Sequence, residues 1–173
     1  MMRVFAVLLA VVALGACSSS NKKSEPSATT TTPTTASNGP GWNAAALAAA
    51  KDLADKIQAG GVTCSGYTDL DYQTVANDLT KSGIPVPGAM AQCTSTGGEN
   101  LTFETFADEQ AAYSFLGTKN GKICATAAQK KLKNVSYPYV AATTYFIEPD
   151  NQATADRISK ILPNTRVNVT KCS

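Results

Sequence analysis

The residues after position 40 predict an α+β domain: a mainly antiparallel sheet of four or five strands with helices packed on one face. Two observations lead there. Apolar residues recur at helical spacing in several segments separated by period-two runs, and these helices interleave with a hairpin closed by a short glycine turn. A third observation, four cysteines spread through the same region, indicates that the domain is stapled.

The first helix is expected over 44–59. It is alanine-rich, with Leu47, Ala50, Ala54 and Ile57 on one stripe, Asn43 as N-cap and Gly60-Gly61 to stop it. Asp52 and Lys56 form a favourably ordered i,i+4 pair on its outer side. Cys64 follows in a short extended piece. Tyr72, Val75, Ala76 and Leu79 then mark a second helix between Asp71 and Gly83, and Pro85 and Pro87 make 84–88 a connector. Residues 89–95 and 99–106 flank Gly97-Gly98 as a hairpin. In its second arm Leu101 and Phe103 alternate with Asn100, Thr102 and Glu104, which predicts one buried and one wet face. Asp108 caps a helix expected to run through Leu116. Lys119, Lys122, Lys130, Lys131 and Lys133 surround Cys124 and read as a solvated excursion held by its disulfide. Residues 139–147 have strand composition, 150–162 are helical up to Pro163, and 166–171 close as a strand. Over 64–147 the order strand, helix, two strands, helix, strand matches a ferredoxin-like arrangement.

Ahead of the domain lie two segments of different character. Met1-Met2-Arg3 precedes an apolar run of 11 residues, 4–14, shorter than the ~20 needed to span a bilayer, which is the pattern of a signal peptide. The run ends in Leu14-Gly15-Ala16-Cys17, which resembles a bacterial lipobox. The resemblance implies cleavage after Ala16 and a diacylglyceryl lipid on Cys17, whose two chains give stable anchoring. Residues 18–40 hold six Ser, six Thr and three Pro with no aromatic or large aliphatic side chain, so they read as a linker. Such a coil spans ~25 Å on average and ~70 Å when extended. Its run 29–35 is a candidate O-glycosylated stalk. The expected organisation is 1–16 signal peptide, 17–40 lipidated cysteine and linker, and 41–173 folded domain.

With Cys17 set aside, Cys64, Cys93, Cys124 and Cys172 are an even set suited to two disulfides in an oxidising compartment. Three pairings are open. Cys64 with Cys93 and Cys124 with Cys172 is the favoured one, because it closes each half of the domain on itself. Zinc held by the four thiolates is the minor alternative.

The chain has no histidine, which removes Ser-His and Cys-His nucleophile pairs and every His-containing metal site. Residues 41–173 carry 12 basic and 12 acidic residues, so there is no net charge to drive nucleic-acid binding. Asp69 with Asp71, Asp108 with Glu109, and Glu148 with Asp150 are the carboxylate pairs available for acid–base chemistry, but each lies at an expected helix start, where capping accounts for it. Asp69 and Asp71 begin like a calcium loop, yet Thr74 and Thr80 occupy the positions needing Gly and Glu. Ser19 and Ser20 precede Lys22 and Lys23 in a Ser-x-x-Lys spacing, but within the linker, where nothing holds such a pair in place. Trp42, Tyr137, Tyr139 and Tyr145 are candidates to line a groove for an apolar or carbohydrate ligand.

The alanine-rich helix running into Gly60-Gly61-Val62-Thr63-Cys64, then Ala91-Gln92-Cys93 leading into 101–106 and Asp108, resembles the small cysteine-stapled lipoproteins of actinobacteria. Cys124 and Cys172 are not part of that pattern. The resemblance implies a location and an architecture, not a reaction. The expectation is therefore a membrane-anchored extracytoplasmic protein without a cofactor, acting as a binding or interaction module on an envelope protein or apolar ligand. The alternatives are an apolar-ligand carrier and an envelope enzyme using carboxylates or a Ser/Lys pair.

Overall fold

The computed structural model describes residues 41–95 and 97–172. The signal-like run, Cys17 and the Ser/Thr/Pro stretch lie outside the described residues. The elements are α1 Ala44–Ala59, β1 Ser65–Asp69, α2 Tyr72–Lys81, β2 Ala89–Thr94, β3 Asn100–Thr105, α3 Glu109–Gln129, β4 Val135–Ala141, β5 Tyr145–Pro149, α4 Gln152–Ile161 and β6 Arg166–Cys172. The fold is α+β. Its sheet has six strands in the order β1-β2-β3-β5-β4-β6, one more than the upper expectation, and every neighbouring pair is antiparallel.

Caps define the helices as their residues dictate. Asn43, Asp71, Asp108 and Asn151 each accept a backbone N–H from the third residue on, at Ala46, Thr74, Ala111 and Thr154. The last helix thus starts from Asn151, one residue after the expected Asp150. At the end of α1, Gly61 takes φ +90°, and the N–H groups of Gly60, Gly61 and Val62 close back on Lys56, Gln58 and Ile57. Gly60 has ordinary φ, but a Cβ there would meet side-chain carbons of Ile161 at 2.6 Å. Gly60→Ala should therefore lower stability by about 1–3 kcal/mol through overpacking alone, read as a fall in the urea midpoint. An unchanged midpoint would show that α1 and α4 do not meet there.

Strand alternation distributes the side chains over two covered faces, not one. Leu101, Phe103, Val140 and Ile147 join Ala50, Leu53, Ile57, Ala155, Ile158 and Leu162 in a core under α1 and α4. The intervening positions face the other way, where Phe106, Tyr139 and Phe146 pack with Ala112 and Phe115 of α3, and Leu79 and Ile84 border the cluster. Helices on a single face is the expectation this overturns. Of the polar set expected to be wet, Asn100 is exposed and Thr102 half-buried, but Glu104 is fully buried beneath Lys119 of α3.

Three further expectations change. The ferredoxin-like order needs the first strand of the motif inside the sheet, whereas among the described residues β1 is an edge strand paired with β2 alone. The segment expected as one strand over 139–147 is a hairpin, β4 and β5, with its bend at 142–144. Its own ladder is short: after Val140↔Ile147 the register would set Pro138 against Pro149, and neither has an N–H to donate. β4 pairs instead along its whole length with β6. Finally, the helix expected to stop at Leu116 runs on to Gln129, 21 residues in all, so most of the lysine excursion is helical. It ends in a tight turn in which Lys130, Lys131 and Leu132 donate back to Thr126, Ala128 and Ala127.

Two disulfides, Cys64–Cys93 and Cys124–Cys172, tie β1 to β2 and α3 to β6, with Cα–Cα distances of 5.3 and 5.1 Å. This is the favoured pairing, and it leaves none of the four sulfurs as a thiolate for zinc.

Candidate functional site

Glu104 on β3 and Glu148 on β5 lie diagonally across one strand pair, since Glu104 stands opposite Phe146 and Glu148 opposite Thr102. Both project toward α3. Lys119 lies one helical turn beyond Phe115, on the stripe that α3 turns to the sheet, and its ammonium sits 5.2 Å from the Phe115 ring centre. From there it donates to Glu104 Oε1 at 2.7 Å and to both Glu148 oxygens at 2.6 Å. The Tyr137 hydroxyl donates to Glu148 Oε2 at 2.6 Å.

The cluster is close to dry. Exposure is 0% for the Glu104 side chain, 8% for Glu148 and 17% for Lys119. Two carboxylates and one ammonium leave an excess negative charge where water is excluded, and burial penalises that charge. Burial, reinforced by neighbouring Glu148, pushes the Glu104 carboxyl up to about 8 against the opposing pull of Lys119. Burial would lower the Lys119 ammonium, but the two carboxylates outweigh it and hold the group above the ordinary lysine range. Burial and Glu148 likewise raise the Tyr137 phenol. Glu104 Oε2 is buried without a hydrogen-bond partner, as is Thr170 Oγ1 on β6, opposite Tyr137.

Glu148 is therefore not half of a helix-start pair. It stands inside β5, while exposed Asp150 accepts the Asn100 N–H at 2.9 Å. The other carboxylates keep their capping role. Asp71 binds the Thr74 hydroxyl at 2.7 Å and its N–H at 2.9 Å, which lowers its pKa, and Asp108 caps α3. Asp69 lies apart at the end of β1.

The four aromatic candidates do not share a groove. Trp42 donates to the Leu70 carbonyl at 2.5 Å and meets Tyr72 edge-on, sealing the entry to α1. Tyr137 belongs to the charge cluster, and Tyr139 is buried edge-on to Phe146. Tyr145 points to the opposite face and lines a cleft of about 360 Å³ with Asn43, Ala45, Ala46, Ala49 and Phe106. A second cleft of about 290 Å³ is more polar: Glu99 there accepts from Asn151 and Thr154, and Arg157 reaches the Gly61 carbonyl at 2.7 Å.

Sequence reasoning missed the Glu104–Lys119–Glu148 assembly. Its one visible signal is Lys119 itself, a charge in register with the apolar stripe Ala112, Phe115, Ile123 and Ala127. A charged residue on an apolar stripe calls for a buried partner. Comparison with protein families, with curated proteins and with solved structures finds no match for the chain.

Proposed function

We propose that the chain is a lipoprotein anchored through diacylglyceryl-Cys17 on the extracytoplasmic face of the cell membrane, where its α+β domain works as a binding or interaction module. The observation that carries the reading is the pairing of a lipobox-like Leu14-Gly15-Ala16-Cys17 with a domain whose four remaining cysteines are joined two by two. Cysteines in this state belong to an oxidising compartment, which is where a lipidated Cys17 would deliver them. The 18–40 stretch supplies the reach to work away from the lipid surface.

A carrier of an apolar ligand is the second reading, favoured by the cleft of about 360 Å³, whose walls are largely alanine, Phe106 and Tyr145. The envelope-enzyme reading draws less support. The carboxylates with a perturbing environment line neither cleft, and their lysine is engaged by both of them.

Metabolic labelling tests the anchor. The wild-type chain should incorporate palmitate and fractionate with membranes, while Cys17→Ala should lose both properties. Crosslinking in intact envelopes should give adducts with the anchored chain alone. Equal labelling of the two chains would refute the anchor, and labelling without any adduct would refute the interaction module.

A further inference from the structure

The polar cluster beneath α3 has one donor group too few. Lys119 satisfies Glu104 Oε1 and both oxygens of Glu148, Tyr137 adds a second bond to Glu148, and Glu104 Oε2 is left buried and unpartnered. An ionised carboxylate in that position would lack a donor on one oxygen, in a site where an unpaired charge is most costly. A single proton on Glu104 removes the excess charge and lets its carboxyl donate to the neighbouring Glu148 carboxylate, which lies within hydrogen-bonding reach.

Among the described residues the surroundings offer no other charge to do this. Across the strands Glu104 faces Met90 on β2 and Phe146 on β5. From α3 it meets Lys119. From β5 and β4 it feels Glu148 and Tyr137, and from just past the end of β5 Asp150 acts on Tyr137. Lys122, the next cation along α3, is exposed. β6 contributes the uncharged Thr170.

We propose that this cluster is a proton-operated latch: one proton held by the Glu104–Glu148 pair keeps α3 closed on the sheet, and its loss lets α3 lift while remaining tethered through Cys124–Cys172. The direction follows from the charges. With the proton present, one ammonium faces one carboxylate, and the cluster is neutral. Without it, a second buried carboxylate competes for the same ammonium, and the route to hydration is separation of the helix from the strands. Lifting α3 would uncover Phe106, Phe115, Tyr139 and Phe146, which pack together under it. The closed state thus belongs to acidic and neutral surroundings, the open one to alkaline surroundings.

Amide exchange on the full, disulfide-intact chain, with rates corrected for the intrinsic pH dependence, tests the latch. Protection over 115–123 should fall at least about tenfold between pH 6 and pH 9, and at pH 9 should lie at least about tenfold below protection over 50–57 in α1, because lifting one helix takes less than unfolding the domain. Glu104→Gln, which imitates the protonated acid, should abolish the fall over 115–123. Equal protection of the two helices at pH 9, or an unchanged pH response in Glu104→Gln, overturns the proposal. Should that variant fail to fold, carbonyl-carbon NMR of glutamate-labelled wild type decides: Glu104 should titrate above pH 6.5, and titration below that value overturns it.

Discussion

Lys119→Met should destabilise the domain by about 3–5 kcal/mol at pH 7.5, measured by urea unfolding with the disulfides intact. Methionine keeps much of the aliphatic stem against Phe115 but removes the one cation shared by Glu104 and Glu148. The Glu148 carboxylate then stays buried beside the Glu104 acid with no cation to compensate it. Acid should relieve the defect. In the variant the buried Glu104 acid favours the protonated form when folded still more than in the wild type, so the native state binds a proton that the unfolded chain has released. Stability then rises as pH falls toward the ordinary carboxylate range near 4.5. The wild type carries a weaker version of the same slope. Its Glu104, raised from 4.5 to about 8, contributes stability that is complete below the lower value and lost as pH climbs through the upper one. Replacing the whole cluster with Glu104→Leu, Lys119→Met, Tyr137→Phe and Glu148→Leu should recover most of the loss, because no buried charge is then left unpaired. A single Lys119→Met variant within about 1 kcal/mol of wild type would mean that α3 does not seal the cluster from water.

Removal of the second disulfide by Cys124→Ala with Cys172→Ala should cost ~4 kcal/mol from the loop-closure entropy that the crosslink withholds from the unfolded chain. Its cysteines are 48 residues apart, against 29 for Cys64–Cys93, so by this entropy alone it is the more stabilising of the two. The structural consequence is local as well. Gly117 and Gly121 sit within α3 with open space where their side chains would be, and each weakens a helix by about 1 kcal/mol relative to alanine. Beyond Gly121 the helix is secured by Cys124, half-buried Ile123 and buried Ala127. Without the crosslink, far-UV circular dichroism should lose helical signal before the main transition, and α3 amides past 121 should exchange fastest. A cost under about 1 kcal/mol, with one concerted transition, would contradict this account.

The same two glycines show why part of the fold could not be read from the chain. Local chemistry is decisive for α1, α2 and α4, where capping residues and an apolar stripe point to one answer. In α3 the glycines argue locally for a stop after Leu116, and the helix persists because Lys119 and Cys124 find partners on β3, β5 and β6. Glu104 was misplaced for a related reason. Alternation separates it from Leu101 and Phe103, but does not say whether the second face meets water or a helix. The candidate site suffers most, since its members come from β3, α3, β4 and β5.

The amino-acid sequence alone determined the α+β class, the three helices α1, α2 and α4, the caps Asn43, Asp71 and Asp108, the Gly97-Gly98 hairpin and an even set of domain cysteines, since each depends on residues within one turn, one strand or simple parity. Only the tertiary structure decided that α3 covers the second sheet face and that a lysine there meets two glutamates. Those contacts are 15 and 29 residues apart along the chain. They exist because burying charge without a partner is too costly, a constraint felt only once the layers close.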